Sequence, residues 1–423
     1  MNTQKNNSLG PFIVLTFIYF IVGFLTTVNG QFQGPLKIAF LSHTDELRNT
    51  LTTFISFFFF PGYLLNSSLG GKWINVHGYK KTLLRALSIM VIGLLMYSLS
   101  SWLVVHYGDA RILIFKDQVP YGYFIFLLGS YLMGTSAALL QVVINPYIAA
   151  YELPNTQPVQ RINIVCAINS FGTTIAPFFV TGIIFAGVTL ESVTADQLMF
   201  PFLMITLCII ITTLITSRLN LPDIQGTRVD NNNKPKHSIW SYQHLSLGVI
   251  ALFFYVGAEV SIGVNINLHA MELIENGHRF FCFGKSHIVV WGLDLGIPAL
   301  LATLYWGGLM VGRLIFSFFN NVSPRILLTV TTIIATILIL VAILTNNLWI
   351  LVSVGLCHSV MWGCIFTLAI KGLQQYTSKA SGILMMGVFG GAIFPVLQGI
   401  LADTWGSWQW TWIIALICEL VML

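Results

Sequence analysis

Residues Ser381–Asp403 read SGILMMGVFGGAIFPVLQGILAD, a stretch apolar enough to cross a bilayer that nevertheless holds several glycines, Pro395 and the amide of Gln398. A second stretch of this kind, Gln141–Ala149 (QVVINPYIA), places Asn145-Pro146 inside another apolar run. Hydrocarbon cannot hydrogen-bond an amide or a loosened backbone, so such groups normally face a protein-lined cavity. Amides in corresponding places in both halves of a membrane chain point to a polar, uncharged solute.

Composition agrees. Hydrophobic residues make up 56% of the 423, charged residues 8%, and the mean hydropathy is +0.81. Soluble domains carry roughly 25% charged residues, so the chain is expected to be a polytopic membrane protein. The net charge of +5 is spread in short clusters between apolar runs. That fits loops lying against anionic lipid and gives no reason to expect nucleic acid. The six cysteines, Cys166, Cys208, Cys282, Cys357, Cys364 and Cys418, have neither metal nor disulfide spacing and are read as small apolar residues. No cleavable leader is evident.

A crossing helix needs about 20 apolar residues. Apolar runs predict spans near 11–29, 51–74, 82–105, 121–149, 163–188, 198–217, 244–271, 297–318, 325–345, 348–374, 380–402 and 408–423. Of the 20 lysines and arginines, 14 fall on the side of the termini. The positive-inside rule therefore predicts a multi-pass protein of the cytoplasmic (inner) membrane with both termini cytoplasmic. The polar stretch 218–243 has linker composition and divides the chain into six-helix bundles at 1–217 and 244–423. Phe171-Gly172-x4-Pro177 recurs as Phe389-Gly390-x4-Pro395 at the same place in the other half, as expected of two related bundles with a site between them.

The turn Gly71–Lys81 (GKWINVHGYKK) resembles the loop between the second and third helices of the major facilitator superfamily. Asn75 and Val76 replace its usual acid and arginine. Gln141–Ala149, Arg161-Ile162-Asn163, Asn169–Gly172, Tyr255–Gly263 (YVGAEVSIG), Ile365–Leu373 (IFTLAIKGL) and Ser381–Asp403 are similar to segments of the fucose:proton symporter family, including its glucose/galactose branch. The resemblance implies an all-α integral membrane protein of the major facilitator fold, with twelve transmembrane helices in two six-helix bundles. It also implies secondary transport of a monosaccharide: a hexose such as glucose or galactose, or fucose. Three departures bear on mechanism. The family's aspartate after the asparagine of the first span is Gly30 here, its glutamate four residues before Asn-Pro is Gln141, and its glutamine before Asn-Ser-Phe-Gly is Cys166.

Sugars are held by amides that donate to and accept from hydroxyls and by aromatic faces against the ring. The substrate-binding candidates are Gln141, Asn145, Asn169, Glu259, Asn265, Trp362 and Gln398; Asn29 is a weaker one. For each amide an interhelical packing bond is the alternative. Glu259, deep in the seventh span, is the candidate coupling residue. Three roles are open to it: carrying a proton, binding sodium, or bonding sugar hydroxyls, with a structural hydrogen bond as the alternative. The gating candidates are Gly71, Gly78, Lys80 and Arg313. His358 is read as structural, Phe57–Phe60 as lipid-facing or core bulk, and Asp403 and Glu419 as lying near water at span ends. No phosphate loop, metal spacing or nucleophile–base pair is found, so neither an enzyme nor a cofactor is expected beyond a coupled H+ or Na+. The expected partners are the sugar and the bilayer, with the protein a monomer. A sugar uniporter and a non-transporting sugar sensor are the alternatives.

Overall fold

A computed structural model describes residues 9–108, 110–114, 116–151, 153, 158–184, 193–221, 239–278, 287–290, 293–316, 322–373 and 377–423. The middle of the expected linker, 222–238, and Cys282 lie outside the described residues. The first half comprises α1 (Leu9–Gln31), α2 (Gln33–Ala39), α3 (Arg48–Phe57), α4 (Pro61–His106), α5 (Tyr121–Ala150), α6 (Pro158–Phe179) and α7 (Ala195–Arg218). The second comprises α8 (Gln243–Glu275), α9 (Ile297–Phe316), α10 (Pro324–Thr345), α11 (Leu348–Ile370), α12 (Thr377–Met386), α13 (Gly390–Trp405) and α14 (Ile413–Met422). Eight helical segments among the described residues are long and apolar enough to cross a membrane, and the remaining passes are shorter or broken.

The breaks have local causes. The second pass is interrupted between α3 and α4, where Pro61 opens the new helix at a position that needs no N–H donor. α4 carries the second pass into the third through Gly78, whose φ of 80° and ψ of 170° belong to a region open essentially to glycine. The eleventh pass is divided by a tight turn at Gly387–Phe389. Two short hairpins were absent from the all-helical expectation: β1 (Arg111–Ile114) with β2 (Asp117–Pro120), and β3 (His287–Val290) with β4 (Leu293–Gly296). Each occupies a connection between spans, where apolar periodicity carries no signal.

The repeated Phe-Gly-x4-Pro pattern has the same physical role in both halves. A Cβ on Gly172 of α6 would come within 2.7 Å of the Phe20 carbonyl on α1, and one on Gly390 of α13 would collide with the Phe253 carbonyl on α8. In each half the glycine lets a Pro-containing helix press against the backbone of that half's first helix. The outer helices α7 and α10 are the least buried of the spans, at 28% and 33%. They turn outward a continuous apolar face that includes Leu207, Leu214, Ile337 and Leu344. In a chain with so few charges, that face is apolar enough to meet the hydrocarbon of a bilayer.

At the end of the bundle that carries the β1–β2 hairpin, the Asp117 carboxylate accepts N–H bonds from Asp45 (2.8 Å), Glu46 (3.2 Å) and Leu47 (2.6 Å). Burial opposes its ionisation, but the three backbone donors outweigh burial and hold the carboxyl below its usual value. A carboxyl with a lowered folded-state value stabilises the fold while ionised, above its unfolded value. The contribution is lost as pH falls through the lowered value. Wild-type protein in detergent is expected to lose thermal stability below about pH 4, and Asp117→Asn to flatten that limb of the Tm-against-pH curve. A packing prediction accompanies it. Gly390→Ala should destabilise by about 1–3 kcal/mol through overpacking, whereas Gly363→Ala, with nothing near its Cβ position, should stay within about 0.5 kcal/mol, both measured as shifts in the thermal midpoint.

Candidate functional site

A cavity of about 190 Å³ lies between the two halves. The first half supplies Val22, Gly23, Thr26 and Thr27 of α1, Phe60 and Tyr63 at the start of the α4 rod, Gln141 of α5, and Asn169, Ser170 and Thr173 of α6. The second supplies Tyr255, Val256, Glu259 and Val260 of α8, Trp306, Leu309 and Arg313 of α9, Trp362 of α11, and Met385 and Val388 around the break in the eleventh pass. The volume suits a small solute; drug-sized ligands need about 300–1,000 Å³.

The two walls differ chemically. On the first, Gln141 Nε2 donates to the Tyr63 hydroxyl (2.9 Å) and Asn169 Nδ2 to the Tyr19 carbonyl (2.7 Å). These bonds hold each amide in place and leave it further capacity toward the cavity. On the second, Glu259 is partly exposed to the cavity and Arg313 stands on the neighbouring helix. Neither residue belongs to the ion pairs found among the described residues. Arg313 Nε donates to the Ser359 carbonyl (3.3 Å), and its Nη1 reaches across to the Ser170 hydroxyl of α6. Trp306 is fixed by its indole N–H on the Gly263 carbonyl (3.2 Å), and Trp362 packs near Tyr255, ring centroids 6.5 Å apart. Amides, a carboxyl, a guanidinium and two indoles around one small space can bond hydroxyls and cover an apolar ring face.

Gln141, Asn169, Glu259 and Trp362 thus meet at one cavity. Asn145 does not line it; one turn further along α5, its amide interacts with the Tyr19 hydroxyl. Asn265 and Gln398 lie elsewhere, fully buried. Asn265 Nδ2 donates to Gln398 Oε1 (2.8 Å) and the Pro395 carbonyl (3.2 Å), and Gln398 Nε2 to the Thr411 carbonyl (3.3 Å). They join α8, α13 and the turn before α14. Asn29 is likewise absorbed, by Tyr97, Ser130 and the Ile55 carbonyl. Gly71, Gly78 and Lys80 stay at the turn between the second and third passes, away from the cavity, whereas Arg313 is in its wall.

Phe60 and Trp306 also line the cavity. Phe60 is at once part of the buried core and of the cavity wall, and an aromatic side chain in an apolar run gives no sign in sequence of which way it faces. Of the two acids expected near water, Asp403 is partly exposed two residues before the end of α13, whereas Glu419 is not near water. Glu419 has no exposed side-chain surface and pairs with His358, Oε1 to Nε2 2.7 Å. The turn at Gln409–Trp412 precedes α14, so Glu419 lies well inside the bundle, on the packed face of α14. Asp403, on α13, accepts the Asn49 N–H (3.0 Å), the Thr50 N–H (2.7 Å) and the Thr50 hydroxyl (2.6 Å). It thereby caps the N-terminus of α3 in the other half.

Asp403 and the bonds from Gln31 to the Gly263 carbonyl (3.2 Å) and from Asn267 to Gln31 join the two halves on the hairpin side of the cavity. Toward the other end, Arg313 meets Ser170 and Thr174 Oγ1 meets the Trp306 carbonyl (3.3 Å). Gly30 faces Val264, which would stand 2.8 Å from an added Cβ. A carboxylate at that position has no room here.

No protein-family model matches the chain. A glucose/galactose transporter of Brucella abortus is 31% identical over 411 residues, 96% of this chain and 90% of that protein. The chain belongs to the fucose:proton symporter family, in its glucose/galactose transporter branch. It is a membrane transporter of that sugar-transporting family, not an enzyme. Among solved structures, the Escherichia coli fucose:proton symporter matches with a TM-score of 0.61 at 20% identity, over 97% of this chain and 96% of that one. A D-xylose-proton symporter matches at 0.71 and 14%, over 98% and 97%. At these identities the likeness shows the fold, the two six-helix bundles of the major facilitator superfamily.

Asp403 accounts for most of the hydrogen bonding that holds α3 to α13. Asp403→Asn should favour the state open at the hairpin end by about 1–2 kcal/mol, the range of a charge-assisted bond made neutral. A single cysteine at Thr27 in a cysteine-free background should then react about 5–30 times faster with a membrane-impermeant thiol reagent applied from that end.

Proposed function

We propose that the protein carries glucose or galactose with a proton across the cytoplasmic membrane, by alternating access about this cavity. The observation that carries the reading is the placement of Glu259 in the cavity wall opposite the amides of Gln141 and Asn169. One carboxyl is thereby in reach of both the solute and the solvent that enters with it. Gln141 and Asn169 bond sugar hydroxyls, Trp306 and Trp362 cover the ring faces, and Glu259 holds the coupled proton. The relative's name supports the sugar, and the names of the structural neighbours support the proton. Asn265 and Gln398 act here as scaffold, keeping α8 and α13 in register behind the site.

The moving bodies are the bundles before residue 218 and after residue 243. They act within one protomer, with both termini in the cytoplasm as the 14 basic residues on that side imply. Arg313 braces the cavity's second end through Ser170, and Gly78 with Lys80 forms the basic turn on the cytoplasmic face.

The test is uptake of labelled glucose, galactose and fucose into proteoliposomes with an imposed proton or sodium gradient. A proton gradient should drive accumulation of glucose or galactose. Glu259→Gln should lower the accumulation ratio to about one, the value without coupling, while still catalysing counterflow. Sodium-driven accumulation would replace the proton by Na+. Counterflow in both proteins with no gradient-driven accumulation would make the protein a uniporter.

A further inference from the structure

Behind the cavity wall formed by Glu259 lies a buried chain of titratable groups that sugar binding does not use. His358 of α11 has no exposed surface. Its Nε2 is 2.7 Å from Glu419 Oε1 of α14, and its Nδ1 is 2.7 Å from the Tyr305 hydroxyl of α9. That hydroxyl is also 3.1 Å from the backbone carbonyl of Glu259. The Tyr255 hydroxyl donates to the His358 carbonyl (3.0 Å), fixing the histidine against α8. Glu419 Oε2 is buried with no hydrogen-bond partner.

Counting hydrogens along this chain gives two complete arrangements that differ by one proton. With the proton present, Glu419 and His358 share it across Oε1···Nε2, and His358 Nδ1–H donates to Tyr305. Tyr305 O–H is then directed to the Glu259 carbonyl. With the proton gone, Glu419 is a carboxylate accepting from Nε2–H, so Nδ1 has no hydrogen and becomes an acceptor. The one hydroxyl hydrogen of Tyr305 turns to Nδ1, and the Glu259 carbonyl loses its side-chain donor. The orphan Glu419 Oε2 fits the first arrangement better, because an ionised carboxylate oxygen left dry and unbonded is costly.

We propose that His358 and Glu419 form a one-proton binding site, and that Tyr305 is the positioning residue through which its occupancy is read at the Glu259 turn of the cavity wall. The inference rests on the reading of that cavity as the sugar site; it does not require that transport be proton-driven. The groups facing the pair are Tyr255 and Glu259 from α8, Tyr305 and Arg313 from α9, Cys357 from α11 and Cys418 from α14. α10, which packs on α11 and α14, carries no titratable side chain beyond Arg325 in its first turn. Glu259 is therefore the only other carboxyl in this group, and its titration has to be separated from that of the pair.

Infrared pH-difference spectra of the full-length protein in proteoliposomes make that separation. Wild type should show a titrating step in which carboxyl and imidazole bands change together. The step should vanish in Glu419→Gln and in His358→Gln and persist in Glu259→Gln. Glutamine at 419 keeps the size of the side chain and an acceptor for His358 Nε2–H. Because coupling is reciprocal, saturating glucose or galactose should move the wild-type step to higher pH, and KM for counterflow should rise about fivefold or more as pH passes upward through it. Tyr305→Phe should keep the step and lose its link to KM. An unchanged step in Glu419→Gln would overturn the one-proton site, and a KM in Tyr305→Phe that still follows the step would overturn the relay. If wild type shows the step and the linked KM but no proton-driven accumulation, the coupling reading fails and this inference stands.

Discussion

A bilayer interior offers no hydrogen bonds, so a polar group inside this bundle is costly unless it is met by another part of the chain or by what enters the cavity. That constraint sorts the buried amides. Asn265 and Gln398 bond each other and neighbouring carbonyls, and Asn29 is shared among Tyr97, Ser130 and the Ile55 carbonyl; on the proposed reading these residues are scaffold. Gln141 and Asn169 each make one described bond and keep capacity on the side that faces the cavity. Residues of the same type, at similar depth in spans of similar composition, end in different roles according to which partners lie within reach.

This is also why the fold was more legible than the site. Apolar run length located a helix in every expected span. The Phe-Gly-x4-Pro repeat marked the two helices that press on α1 and α8, although its mechanism, a glycine against a carbonyl, appears only in three dimensions. The break between α3 and α4 and the two hairpins left no periodic trace. Within the site, helix-face arguments place Gln141 and Asn145 on one side of α5, yet only Gln141 reaches the cavity. A place near the end of a span suggests water beside Glu419, yet the structure buries it fully. Its depth depends on how α14 packs against α8, which no local pattern records.

Glycine-mediated close packing occurs within each half and also between them, at Gly399 of α13 against Thr53 and the Asn49 carbonyl of α3. Within a half, helices meet through backbone pressed on backbone, at Gly172 on Phe20 and Gly390 on Phe253, and such packing yields only at a large cost. Between the halves, the described polar contacts are separate bonds, with Asp403 on the α3 N-terminus at one end and Arg313 on Ser170 at the other. Each is of the order of 1–3 kcal/mol, small enough to exchange for water when a cavity opens. On the proposed reading, these exchangeable bonds at both ends of the central cavity are what let the two bundles rock.

Glycine at position 30 and an amide at position 141 have a packing consequence that bears on mechanism. Val264 of α8 fills the space beside Gly30 of α1, so α1 and α8 meet there through apolar contact. Position 141 is an amide tied to Tyr63. The first half therefore offers the cavity only uncharged hydrogen-bonding groups, whose capacity does not change with pH. The ionisable groups Glu259 and Arg313, with His358 and Glu419 behind them, all belong to the second half. On the proposed reading, solute recognition is divided between the bundles while response to protons is confined to one. The element that must carry the effect of a proton to the solute is then α8, which supplies Glu259 to the cavity and whose backbone carbonyl at that residue faces Tyr305.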